Sequence, residues 1–154
     1  AQMVADHFTL LKVGPCLTHA FREAVFGLAR IESEQLDRRC GAQRSNILEV
    51  LEAVMLENPA HWRSHYRGSE EDLRFLRFHS QRDRLRYYWS HPTVASALKR
   101  LLANLEPGLS PAWVEAYLPE IYAALPSDEY PIDPMILIRR RIQVALTPYF
   151  DACA

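Results

Sequence analysis

A chain of 154 residues, 49% hydrophobic and 24% charged, has the composition of one folded domain with a real core rather than a disordered segment. Its formal net charge of -1 excludes the global basic field that draws a protein to nucleic acid or an anionic membrane, so neither is expected as a partner. No apolar run approaches the length of a membrane span, and the opening AQMVADHF lacks the basic-then-apolar form of a signal peptide. The absence of Met at position 1 suggests a processed or excised segment. Cys16, Cys40 and Cys153 form no C-x-x-C pair, so no zinc or redox motif is encoded and reduced thiols in a cytosolic protein are expected.

In chain order, His7 to Val13 (HFTLLKV) reads as a short strand ended by Gly14-Pro15. Its apolar residues fall on both faces, as in a strand buried within a parallel sheet. A lone strand has nothing to pair with, so either these residues form no strand or the chain is the C-terminal piece of something larger. Everything after Cys16 reads as helix. The first helix opens at Leu17 or Thr18 and runs to about Glu34, with Phe21, Val25, Leu28 and Ala29 on one face. A polar loop over residues 37–44 follows. Ser45 or Asn46 then caps a helix whose inner stripe is Ile47, Leu51, Val54 and Met55, with Glu49 in capping-box position to Asn46.

A device then repeats. Asn58-Pro59, His91-Pro92, Ser110-Pro111 and Asp133-Pro134 each place proline just after a plausible cap, where its missing N–H costs no hydrogen bond. Ser69 with Asp72 and Ser80 with Asp83 are two further cap pairs. Short helices are predicted over 59–66, 70–78, 81–89, 92–104, 111–124 and 134–147, with Pro119 kinking or splitting the fifth.

Chemistry concentrates in SQRDRLRYYW, residues 80–89. From His61 to Arg100 there are nine Lys/Arg against four Asp/Glu. Guanidinium forks bind phosphates and carboxylates bidentately and stack on rings, so one reading is an anion site, such as one for a sugar phosphate. The other, more frequent for a basic band in a neutral protein, is a buried helix whose arginines pair with Asp83, with glutamates or with carbonyls at helix ends. On an α-helix Arg84 and Arg86 lie 200° apart, so at most one of them would face a given ligand. Lys12, just before Gly14-Pro15, sits at the strand end that carries the chemistry in α/β barrels, and can equally snorkel to solvent. His61 and His65 have metal-compatible spacing on a helix, but nothing nearby completes a ligand set, so no metal and no cofactor is expected. Trp62, Tyr66, Tyr87, Tyr88, Trp89, Trp113, Tyr117 and Tyr122 read as packing residues. The five glycines build neither G-x-x-x-x-G-K-[ST] nor G-x-G-x-x-G, and there is no G-x-S-x-G or H-E-x-x-H.

Several stretches together resemble one family: LKVGPCLTHAFREAVFGLARIE, VMLENPAHWRSHY, DRLRYYWSHP, LLANL, YLP and ILIRRRIQVALTPYFDAC, in order and across essentially the whole chain. The family is the non-catalytic subunit of class II D-tagatose-1,6-bisphosphate aldolase, also labelled tagatose-6-phosphate kinase. Two positions depart from its pattern: Arg82 stands where a serine is usual, and His19 where an aromatic is usual.

The resemblance implies a mainly α, multi-helical C-terminal portion of an aldolase-type (β/α) barrel protein with one short N-terminal strand. Residues 1–16 would be the last part of the barrel and 17–154 a helical C-terminal domain. It implies an accessory subunit that supports the stability and activity of a separate, zinc-bearing catalytic aldolase subunit in galactitol or amino-sugar catabolism. The rival expectation is an enzyme in its own right, a tagatose-6-phosphate kinase or an aldolase; a third reading is a homo-oligomerisation module. No catalytic residue carries over. Lys12, Arg84, Arg86 and Tyr87 are the candidate ligand-binding residues. Arg84→Ala is predicted to lower thermal stability more than ligand affinity, because a buried paired charge is worth about 3–5 kcal/mol.

Overall fold

The computed structural model describes residue 6 and residues 14–36, 43–106, 108–125 and 131–153. The predicted strand over residues 7–13, Lys12 within it and Cys40 lie outside them. The described chain is mainly helical: α1 (Cys16–Leu36), α2 (Ile47–Glu57), a 3-10 turn (Pro59–His61), α3 (Glu70–His79), a second 3-10 turn (Arg84–Tyr87), α4 (Pro92–Asn104), α5 (Pro111–Tyr117), α6 (Pro119–Tyr122) and α7 (Pro134–Cys153). Extended pairing among the described residues amounts to one isolated antiparallel bridge, Leu109 with Ile132, which ties the entry to α5 to the entry to α7.

Proline at the first helical position starts α4, α5, α6 and α7 and the first 3-10 turn, as the repeated X-Pro device requires. Pro119 splits the expected 111–124 helix in two, because its ring cannot follow Leu118 in helical geometry. The last helix runs past its predicted end at residue 147, through Pro148 to Cys153. The Thr147 hydroxyl bonds back to the Gln143 carbonyl one turn before that proline.

α1 is the axle. It lies along α7 and also touches α2, α4, α5 and the second 3-10 turn. Its small residues permit this: Ala20, Ala24 and Ala29 are buried beside Val25, Leu28 and Ile31. A Cβ at Gly27 would come within 2.2 Å of Leu118 Cδ2, so that backbone contact needs glycine. The Ile47, Leu51, Val54 and Met55 stripe of α2 is buried against α4, as its spacing predicts.

Three expectations fail, each because a tertiary partner outcompetes a local one. The Asn46–Glu49 capping box does not form. Asn46 is left-handed (φ 49°) without a side-chain cap, because Ser45 gives both its N–H and its hydroxyl to the buried carboxylate of Glu32. The 59–66 helix stops at His61, since Trp62 is buried and its indole N–H donates to the Met55 carbonyl at 2.6 Å. His61 and His65 therefore do not share a helical face. The 81–89 helix shrinks to the 3-10 turn Arg84–Tyr87, and Ser80 serves as C-cap of α3 rather than N-cap of a following helix. The reason is Asp83.

Candidate functional site

Asp83 is fully buried in a left-handed conformation (φ 45°, ψ 58°). Its Oδ1 accepts from Arg22 Nη1 at 2.9 Å, its Oδ2 accepts from the Thr18 hydroxyl, and Arg22 Nη1 also reaches the Ser80 carbonyl at 3.0 Å. An α-helical Asp83 could not turn into α1 in this way, so the ion pair sets the backbone of the segment. Leu85 and Tyr88 then enter the core, the Tyr88 hydroxyl donates to the Asn58 carbonyl, and Trp89 meets Phe21 edge to face at 4.9 Å.

With those side chains turned inward, Arg82, Arg84, Arg86 and Tyr87 face out or lie half-buried. Arg86 Nη1 donates to the carbonyls of Arg82 (2.9 Å) and Asp83 (3.2 Å), and Nη2 donates to the Tyr87 hydroxyl at 2.8 Å. Arg82 Nη1 reaches the His65 carbonyl at 3.4 Å, and Arg84 Nη2 lies 3.2 Å from His65 Nδ1. A guanidinium can only donate, so this contact leaves the lone pair on Nδ1 and the proton on Nε2 of a neutral imidazole. Loss of hydration, with the nearby Arg84 and Arg82 charges, holds His65 below its ordinary pKa of 6.5. Both Arg86 and Arg84 lie over the Tyr87 ring, at 4.6 and 5.9 Å from its centroid, and His61 stacks on that ring at 4.8 Å and 21°. A 3-10 turn advances about 120° per residue, so the 200° separation expected of Arg84 and Arg86 does not apply.

The expected pairing of these arginines with acids is not what the fold uses. Among the described residues no carboxylate lies within ion-pair distance of Arg82, Arg84 or Arg86; Asp83 belongs to Arg22. Their partners are carbonyls, His65 and a tyrosine. Beside them a crevice of about 440 Å³ is lined by Ser64, His65, Tyr66, Arg67, Leu76, Ser80 and Arg82. A second crevice of about 440 Å³ contains Phe26, Leu48, Phe75 and Phe78. Its wall also carries Arg30, Arg74 and His79 beside Glu49, Glu52 and Glu71, with Arg74 paired to Glu52 at 3.2 Å, so an anion there would meet carboxylates as well as cations. Among the described residues no group of three or more His, Cys, Asp or Glu side chains could hold a metal ion, and no helix is long and apolar enough to cross a membrane.

Of the candidate residues, the fold brings Arg84, Arg86 and Tyr87 together; Lys12 lies outside the described residues. Sequence reasoning did not place Ser64 and Arg67 beside Arg82, and weighed His65 only as a metal ligand, although all three line one crevice with Arg82 from 15 or more positions away. It also missed Arg22, which stands beside Glu23 in α1 and carries no local sign that it is buried.

The D-tagatose-1,6-bisphosphate aldolase subunit GatZ/KbaZ-like family model matches residues 1–154. The crystal structure of a probable tagatose 6 phosphate kinase from Sinorhizobium meliloti 1021 is similar at 37% identity with a TM-score of 0.88, over 99% of this chain and 39% of that one. The chain thus spans well under half the length of that protein.

Proposed function

Since the chain belongs to the GatZ/KbaZ-like family of D-tagatose-1,6-bisphosphate aldolase subunits, we propose that it forms part of an accessory subunit that stabilises and supports a separate catalytic aldolase subunit. The observation carrying this reading is the family match over residues 1–154. In this reading residues 1–16 close an aldolase-type barrel and residues 17–154 form its helical C-terminal domain, in a cytoplasmic protein of galactitol or amino-sugar catabolism. The use of buried charge is in keeping with a supporting role: Arg22, Glu32, Arg77 and Asp83 are all committed to contacts within the fold.

The printed name of the Sinorhizobium protein favours a rival, a kinase acting on tagatose 6-phosphate. One experiment separates them. The full-length protein is assayed alone with ATP and tagatose 6-phosphate, and then mixed with a class II catalytic aldolase subunit and tagatose 1,6-bisphosphate. The accessory role requires that cleavage rate or the thermal half-life of the catalytic subunit rise on mixing. ATP-dependent phosphorylation by the protein alone, with no effect on the aldolase, overturns it.

A further inference from the structure

We propose that the crevice between residues 64–67 and Ser80–Arg82 binds the phosphoryl group of a small phosphorylated molecule, with Arg67 and Arg82 as its two cationic walls. The argument is one of donors and charge. Arg67 and Arg82 line the crevice together with the hydroxyls of Ser64 and Ser80 and the ring of His65. Ser80 Oγ already accepts from the Arg82 backbone N–H at 3.2 Å, which leaves its own hydrogen free to donate. The contact of Arg84 with His65 Nδ1 puts the imidazole proton on Nε2, a further donor. Among the described residues no Asp or Glu lines the crevice, and the one acid of the adjoining turn, Asp83, is turned inward to Arg22 and Thr18. An anion there meets no opposing carboxylate on the walls.

The donor set exceeds what the two oxygens of a carboxylate can use and suits the three free oxygens of a phosphate monoester. The arginines are available. Among the described residues Arg67 has no hydrogen-bond or ion-pair partner. Arg82 makes a long contact of 3.4 Å to a neutral carbonyl, which a charged oxygen can displace. The volume of about 440 Å³ leaves room beyond the phosphoryl group for the rest of a small molecule. This site does not depend on the accessory role: binding here and aldolase activation are separate measurements and can fail separately.

The test is calorimetric titration of the full-length protein at low ionic strength with inorganic phosphate, then with glucose 6-phosphate against glucose. Saturable binding is expected for both phosphorylated probes and not for glucose. Arg67→Ala and Arg82→Ala should each weaken binding by about tenfold or more, one charge-assisted contact being lost. Arg139→Ala removes the same charge from an exposed position on α7 and should change affinity by less than about twofold, the scale of a screened distant charge. If Arg82→Ala lowers the melting temperature, Arg67→Ala decides, since the Arg67 side chain has no bonding partner among the described residues. The proposal fails if no phosphorylated probe saturates, if glucose competes equally, if Arg67→Ala binds like the parent, or if Arg139→Ala loses as much as the crevice variants.

Discussion

Arg22 Nη1 stands 2.9 Å from Asp83 Oδ1, with 3% and 0% of the two side chains exposed, and this pair joins positions 61 residues apart. Removing one partner strands the other charge in the interior. Asp83→Ala should therefore cost about 3–5 kcal/mol in denaturant unfolding. Arg22→Met combined with Asp83→Ala should recover much of that loss, because no unpaired charge remains. A double variant as unstable as the sum of the two single ones would mean that the pair does not act as a unit. The cost expected from sequence at Arg84 belongs here instead, since Arg84 has no acidic partner among the described residues.

Arg77 is 1% exposed, donates from Nη2 to both Glu52 and Glu70 at 3.0 Å, and lies 5.0 Å from the Trp62 ring centroid. Its Nε and Nη1 are buried with no partner among the described residues, a desolvation cost that offsets the pairing. Arg77→Met keeps the stem over Trp62 and removes those orphan donors, and it strands no acid, because Glu52 keeps Arg74 and Glu70 is exposed, so it should cost only about 1 kcal/mol. Arg77→Ala opens a void beside the indole and should cost about 3 kcal/mol. Equal melting temperatures for the two variants would rule out packing as the source of the difference.

Gly27 allows α1 and Leu118 to meet. A Cβ there would lie 2.2 Å from Leu118 Cδ2 and 2.8 Å from Cγ. Gly27→Ala should destabilise by about 1–3 kcal/mol even though alanine favours helix. Leu118→Ala removes the colliding atoms, so the double variant should lose less than the two single losses added together. Simple additivity in urea melts would contradict the contact.

His65 and His79 are both held below 6.5: His65 by loss of hydration with Arg84 and Arg82, His79 by burial with Arg22 and Arg30. A depressed folded pKa means that the unfolded chain binds protons more readily. Their contribution is present above pH 6.5 and is lost as pH falls through the folded values. The melting temperature should decline on acidification from pH 7 to pH 5, roughly the range in which histidine takes up its proton. The two imidazole resonances should titrate with midpoints below 6.5; a midpoint above that value for either ring would reverse the sign.

What the sequence made legible was local. The helical character, the proline-started elements, the split at Pro119 and the apolar stripes of α1 and α2 all follow from spacing and backbone restriction, which act within a few residues. The Ser69–Asp72 box was legible for the same reason: it is exposed, reciprocal and has no competitor. The Asn46 and Ser80 caps were misread because distant residues bind the chain at those points: Glu32 takes the N–H and hydroxyl of Ser45, and Arg22 takes the Ser80 carbonyl. The arginine turn was found by composition, but its shape depends on Asp83 choosing a partner 61 positions earlier. No window of ten residues contains that information.

The pairing of α1 with α7 has a kinetic corollary. Arg141 reaches Glu23 across 118 positions, and the Cys16 thiol reaches the Ala145 carbonyl across 129. Most of the polypeptide must be gathered into a closed loop before the central helix gains the neighbour it touches most extensively, and the entropy of that closure precedes the reward. The flank of α1 is thus completed late in assembly, and its amides there should be among the last to gain protection from solvent exchange during refolding.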